Sequence, residues 1–331
     1  MKYSYLNKCK ALVLPVVVYM IFVILSKGRF GQVSTVYTTL CQIAFPASIA
    51  WALIAHTTLD IWDFTPGSVI ALSGIISGNI AVDYQLGLQG LVAVNILIAT
   101  AMTMCMFLIF NYLKIPSIIS SLGLLLLWES LTAFVYGGRG VTMPAEMTIL
   151  ARSPYCFLVL AVMGALIYFI FNKTRFGYHV RAIGYGSTIA TNIGIDLTRT
   201  RFLSFLVEGV FLGVASVMSL SIRGASAAAI NMQTLAIGFQ AIMSVNIGLY
   251  LSKYVSVVTG VVIGTFTMKM LSSGLLAIGL NSQLQTCATG VFLLIFMGLS
   301  SNQDKIREYK EFKKRQKVAM AKQAGGYYQE G

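Results

Sequence analysis

Three ionisable residues stand inside long apolar runs of this chain: Glu129, Glu208 and Lys269. A charge at the centre of a bilayer is costly, so such groups face a partner or a wet cavity. Two readings fit the carboxylates. They line a polar path or form an intramembrane ion pair, or they lie near enough to an interface to be solvated, Glu208 being about two turns from the start of its run. A proton relay would suit two carboxylates, but the histidines, His56 and His179, fall at or beyond the ends of runs. A second constellation is Leu59 to Ser68, where Asp63, Thr65, Pro66, Gly67 and Ser68 interrupt the apolar pattern. Pro beside Gly argues against a continuous helix. Thr65, Gly67 and Ser68 can expose backbone groups or cap the next helix. Such a break at membrane depth is tolerated where protein or a water-filled cavity shields it; the alternative is an ordinary turn between two helices. Asp63, Thr65, Gly67, Ser68, Glu129 and Glu208 are the candidates for a translocation path.

The elements that must position these residues are membrane helices. Hydrophobic residues make up 57% of the 331-residue chain, charged residues 11%, and the mean hydropathy is +0.78. Soluble domains carry about a quarter charged residues, so this chain could not cover a water-facing surface. A span needs about 20 mainly apolar residues, and the runs 11–26, 36–55, 67–82, 88–111, 116–136, 154–172, 202–222, 236–251, 255–277 and 285–300 qualify, the third, eighth and tenth being short. The expectation is an all-α polytopic bundle of about ten spans over residues 1–300, followed by a polar cytoplasmic tail, 301–331. The first run has the length of a signal-peptide core, but no small-residue cleavage site follows it and it reads as a retained anchor.

The net charge of +13 does not point to nucleic acid, because Lys and Arg sit between the apolar runs and in the tail rather than on a polar, aromatic-laced domain. With the N-terminus inside, the outer turns hold only Lys27, Arg29, Arg139, Arg152 and Arg223, and nearly every other cation falls on the inner side. That bias predicts an N-in, C-in chain, with the tail free to meet anionic lipid or a cytoplasmic partner. Cys9, Cys41, Cys105, Cys156 and Cys287 are far apart and form no Cys-x-x-Cys or Cys/His pair, so metal and redox chemistry are not expected. No Gly-x-x-x-x-Gly-Lys-Ser/Thr loop is present, which excludes an ATPase. No catalytic residue and no cofactor is expected.

Gly74 and Gly78, Gly209 and Gly213, and Gly260 and Gly264 each stand four apart, a spacing that lets helices approach closely. The longest inner loop, 173–201, contains a short helix over 188–193 that Ser187 can cap and Gly194 would end. A short helix bracketed by glycines at the inner face suits docking to a cytoplasmic partner.

Thr174, Gly177, Ala182, Ile183, Gly184, Ala190, Gly194 and Ile195 in this loop match a pattern of the form T-x-x-G-x-x-x-x-A-I-G-x-N-x-x-A-A-x-x-x-G-I. The segment from Ile61 to Ser68 is similar to G-G-I-D-L-S-V-G-S, keeping Asp63, Gly67 and Ser68, and Ile115 to Gly123 is similar to I-P-x-F-I-x-T-L-G. On these motifs the chain resembles the ribose-type, monosaccharide permeases of ABC importers. The departures are the Asn missing from the loop pattern, the two lost glycines before Asp63, and the segment 247–256, where a glycine-rich loop is reduced to Gly248. The resemblance implies a transport subunit of the cell (inner) membrane, not an enzyme, working with ABC ATPase subunits, an extracytoplasmic solute-binding protein and a second permease chain in a homodimer or heterodimer. It implies that 173–201 is the ATPase-coupling loop, with Arg181, Gly184, Ser187, Ala190 and Gly194 carrying the contact. The solute it implies is a monosaccharide such as ribose, with a nucleoside or branched-chain amino acid as the alternative substrate. An ion- or proton-coupled secondary carrier is the alternative mechanism.

Overall fold

A computed structural model describes residues 5–301, about three quarters of them in α-helices. The chain forms two compact units, residues 1–279 and 280–331. The first holds α1 (Tyr5–Leu25), α2 (Val33–Cys41), α3 (Ala44–Ala52), α4 (Ile54–Thr58), α5 (Pro66–Asp83), α6 (Gly87–Leu113), α7 (Ser117–Phe134), α8 (Tyr155–Lys173), α9 (Arg175–Tyr185), α10 (Ser187–Asn192), α11 (Leu197–Arg223), α12 (Leu235–Leu251) and α13 (Val257–Ala277). The second contributes α14 (Ser282–Ser301), opened by Leu284 N–H donating to Asn281 Oδ1 at 2.9 Å. The expected tail lies outside the described residues from position 302 onward.

Among the described residues, seven helical stretches are long and apolar enough to cross a membrane: Val33–Ala52, Pro66–Asp83, Gly87–Leu113, Ser117–Gly138, Tyr155–Lys173, Leu197–Arg223 and Val257–Ala277. The runs at 11–26 and 236–251 are shorter apolar helices, and 285–300 lies in α14. The run at 36–55 is not one helix, as its hydropathy suggested. Pro46 cannot donate to the Gln42 carbonyl, and its ring clashes there, so α2 stops at Cys41 and α3 restarts at Ala44. A second interruption at Leu53 leaves α4 as a separate five-residue turn.

Long α11 is the centre of the first unit and packs on α6, α5 and α3. Gly209 and Gly213 make the α6 contact possible: a Cβ on Gly213 would stand 2.6 Å from the Ile96 Cα, so only a bare backbone fits. Polar ties join α11 to α6 and to α5. Asn95 Nδ2 donates to Ser216 Oγ at 3.0 Å, Ser216 Oγ to the Ile70 carbonyl at 2.9 Å, and Thr103 Oγ1 to the Phe205 carbonyl at 3.0 Å. The α12–α13 pair closes in the same way, a Cβ on Gly260 meeting the Gly248 carbonyl oxygen at 2.6 Å. Gly74 likewise lies against Ser216 of α11, whereas Gly78 faces Val141 and Met143 in the segment after α7. The surviving Gly248 is used for packing, and α12 runs regularly through to Leu251 where the sequence had lost its paired glycines. The loops after α7 and α11 join in a two-residue antiparallel ribbon, Val141–Thr142 on Ala225–Ser226, which the sequence had not suggested.

Candidate translocation and coupling site

The break before α5 is built by Asp63. Its Oδ1 accepts the Thr65 N–H and the Thr65 hydroxyl, both at 2.7 Å, in an Asx-type turn. Pro66 follows at the first helical position, where a missing N–H costs nothing. The Ser68 hydroxyl donates back to the Thr65 carbonyl at 2.9 Å, so neither hydroxyl caps the helix in the expected way. Asp63, Thr65, Gly67 and Ser68 are all buried. Gly67 lies against the Thr234 carbonyl, leaving no room for a side chain.

Asp63 does not stand alone. His56 on α4 and Glu208 on α11 are fully buried with it, and one donor atom from each of the three side chains lies within 4.8 Å of the others. His56 Nε2 approaches Glu208 Oε2 to 3.4 Å without forming an aligned hydrogen bond. The imidazole packs edge-on against Phe205, with ring centroids 4.3 Å apart. The sequence reading set His56 aside as lying beyond a span end. The break at Leu53 corrects this, because α4 continues inside the protein core and carries the histidine in.

Glu129 is placed differently. Its Oε1 accepts the Thr234 N–H at 2.7 Å and the Thr234 hydroxyl at 2.5 Å, and its Oε2 accepts the Met232 N–H at 2.7 Å. One turn on, Thr132 Oγ1 accepts the Ala229 N–H at 2.9 Å. Glu129 thus anchors the segment leading into α12, at the positive end of that helix, and is neither solvated nor paired with a cation.

Two cavities flank this segment. One of about 470 Å³ is lined by Gly67, Ser216, Ser219, Arg223, Gln233 and Thr234 among others. The other, about 270 Å³, is lined by Lys269, Arg223, Gln240, Ser244, Thr265 and Ser272 among others. Arg223 and Ile237 border both. Of the path candidates read from sequence only Gly67 lines either of these two cavities; Asp63, Thr65, Ser68, Glu129 and Glu208 are buried elsewhere in the bundle. The sequence reading missed Ser216, Ser219, Gln233 and Thr234, because hydroxyls and amides on apolar helices carry no individual signal. Arg223 could have been found as a basic residue against the prevailing charge bias.

The 173–201 segment folds as α9 and α10 and is tied to the bundle at two points. Arg181 Nη1 donates to the Phe171 carbonyl at the end of α8 at 2.8 Å, and its guanidinium lies over the Phe171 and Tyr178 rings at 5.3 and 4.9 Å. Gly184 sits on α4, where a Cβ would meet the Thr58 carbonyl oxygen at 2.6 Å. Gly184 is needed for this close approach and has an ordinary helical place in α9. Ser187 opens α10 as its first residue, after Gly186, rather than capping it from outside. Gly194, at φ +86°, ends the helix as expected, with the Ile195 N–H donating to the Ala190 carbonyl at 3.0 Å. Ala190 is buried, whereas Tyr185, Ile189 and Ile193 are 91, 68 and 69% exposed. Those three apolar side chains were not singled out by the sequence.

A protein-family profile described as "Branched-chain amino acid transport system / permease component" matches residues 33–298. The chain is similar to the probable ABC transporter permease protein YphD of Escherichia coli K12, 27% identical over 55% of this chain and 56% of YphD. It is similar to the xylose transport system permease protein XylH of Haemophilus influenzae, 32% identical over 46% of this chain and 40% of XylH. It is similar also to the autoinducer 2 import system permease protein LsrC of Photorhabdus luminescens, 25% identical over 80% of each chain. The chain thus spans about half the length of the first two relatives and four fifths of the third. The comparison with solved structures found no match.

Proposed function

Because the chain belongs to the family of branched-chain amino acid transport system permease components, we propose that it is the membrane-spanning subunit of an ATP-driven importer for a small polar solute, most simply a monosaccharide such as ribose. It has no ATPase motif of its own, and hydrolysis belongs to a separate subunit. The observation that carries this reading is the α9–α10 unit. It is locked to α8 through Arg181 and to α4 through Gly184, while Tyr185, Ile189 and Ile193 present an apolar surface outward. A partner seated on those side chains moves a rigid lever rather than a loose loop. Motion of α9 reaches α4 directly, and α4 carries His56 into the centre of the bundle. Binding energy then biases two bundle states against each other.

In this reading the chain crosses the inner membrane about ten times with both termini inside, the ATPase subunits dock on α9–α10, a solute-binding protein delivers from the opposite face, and a second permease chain completes the pathway. The larger cavity supports a polyhydroxylated solute. Ser216, Ser219, Gln233, Thr234 and Arg223 offer hydroxyl, amide and guanidinium groups around about 470 Å³, within the size range of small-molecule sites. XylH and LsrC, named for a xylose and an autoinducer 2 system, support small polar cargo over a branched-chain amino acid. The test is reconstitution with the ATPase and binding protein in vesicles: uptake should require ATP. Uptake without ATP that follows a pH gradient would establish a secondary carrier instead.

A further inference from the structure

The His56, Asp63 and Glu208 cluster is not used by the path or by the coupling unit as described, and its polar atoms are largely unpartnered. Asp63 Oδ1 is satisfied by Thr65, but Asp63 Oδ2, both Glu208 carboxylate oxygens and both His56 ring nitrogens have no hydrogen-bond partner among the described residues. Five buried polar atoms without partners at one point are an exception to the rule that buried polar groups are bonded. They do not point to unrelated places, since one donor from each side chain falls within 4.8 Å of the others. Among the described residues no lysine or arginine pairs with either carboxylate. Two ionised carboxylates in a dry core without a positive partner are strongly unfavourable, so the cluster is neutralised either by protons on its carboxyls or by a cation bound among them.

We propose that His56, Asp63 and Glu208 are the three protein ligands of one divalent first-row transition cation held inside the bundle. Two carboxylates and a neutral imidazole carry a charge of −2, which one such ion cancels. A mixed nitrogen and oxygen donor set suits zinc or manganese rather than sodium or calcium, which take oxygen alone. Bonds of about 2.0–2.2 Å place tetrahedral ligand atoms about 3.4 Å apart, the separation that His56 Nε2 and Glu208 Oε2 already have, while Asp63, within 4.8 Å of both, has to close in by up to about 1.4 Å. The surroundings suit a metal site. The Thr65 N–H and hydroxyl fix the Asp63 carboxylate from behind, as outer-sphere partners do. Phe205 holds the imidazole plane, and Ile61, Met106 and Phe107 form an apolar shell with it. The ligands come from α4, from the break before α5 and from α11; the Ile61 N–H already ties the break to the His56 carbonyl at 2.9 Å, and the ion would staple both to α11. Metal binding does not depend on the transport reading. Its mechanical consequence does, since α4 also carries the Thr58 contact to Gly184.

The test uses the full chain, purified in detergent, stripped with a chelator and dialysed against zinc or manganese chloride. Elemental analysis should then find close to one ion per chain, and the thermal midpoint should rise by several degrees relative to the stripped protein. His56→Gln and Glu208→Gln should each lower the bound metal at least tenfold. Because a buried variant can fail to fold, cobalt(II) titration of the wild-type chain stands beside it: visible d–d bands of a nitrogen- and oxygen-ligated ion should saturate at one equivalent and disappear on addition of zinc. The proposal is overturned if the wild-type chain binds no metal and shows no such bands, which would assign the cluster to protons shared between its carboxyls. It is equally overturned if folded His56→Gln and Glu208→Gln chains retain metal at the wild-type level.

Discussion

Replacing Glu129 by Ala separates an anchoring role from a path-lining one. The carboxylate accepts the Met232 N–H, the Thr234 N–H and the Thr234 hydroxyl, and it is buried. Alanine leaves two backbone donors without their acceptor, the Thr234 N–H in a buried bond and the Met232 N–H in a part-buried one. Each orphaned donor costs about 1–3 kcal/mol, while the hydroxyl can turn to another acceptor. The expected loss is therefore about 2–6 kcal/mol, concentrated on the entry to α12. Glu129→Gln keeps one acceptor oxygen but turns an amide NH2 toward a backbone donor, so it should recover only part of that loss. The assay is a thermal challenge of the detergent-purified chain, read as the fraction remaining monodisperse by size-exclusion chromatography. The midpoint should fall clearly for Ala and by an intermediate amount for Gln, and any fall in uptake should follow the fall in folded protein. An alanine variant that melts like the wild type yet no longer transports would refute the anchoring argument and return Glu129 to the path.

Further tests address the coupling unit and the break. Gly184→Val should abolish ATP-driven uptake while leaving the chain folded, because any Cβ there meets the Thr58 carbonyl oxygen at 2.6 Å and lifts α9 from α4; uptake at the wild-type rate would show the contact to be incidental. Ile189→Asp with Ile193→Asp places charge on the exposed apolar surface of α9–α10 and should prevent copurification of the ATPase, an outcome that retained ATPase would contradict. A cysteine at position 187 should react with an impermeant maleimide only from the inner side, and labelling from outside would reverse the proposed orientation. Asp63→Ala orphans the Thr65 N–H and should depress uptake well below that of Asp83→Ala, since Asp83 is exposed at the end of α5; equal effects would reduce the break to an ordinary turn.

The sequence by itself determined the class of this protein. Long apolar runs in a chain with few charges can satisfy their backbone as helices in lipid, and the paired glycines other than Gly78 marked seams where helices meet, because a missing side chain is visible in the sequence and allows close approach. The short helix in the 173–201 loop was legible for the same local reason: Gly194 adopts the positive φ that stops it. The family resemblance likewise rested on local motifs. What only the tertiary structure decided were the partners of each polar residue. Glu129 and Glu208 look alike in sequence, each a single carboxylate in an apolar helix, yet one is occupied by the backbone of residues 232–234 and the other faces His56 and Asp63. Those partners lie between 103 and 152 positions away along the chain for one residue each of the two sites, and hydropathy carries no information at that range. His56 was misplaced because a hydropathy run cannot show that a helix ends at Ala52 and restarts at Ile54. The solute-facing hydroxyls and amides were invisible for a related reason: a serine on an apolar helix reads the same whether it faces a cavity, as Ser219 does, or a neighbouring helix, as Ser216 does as well, and only the packing of α5, α11 and α12 distinguishes them.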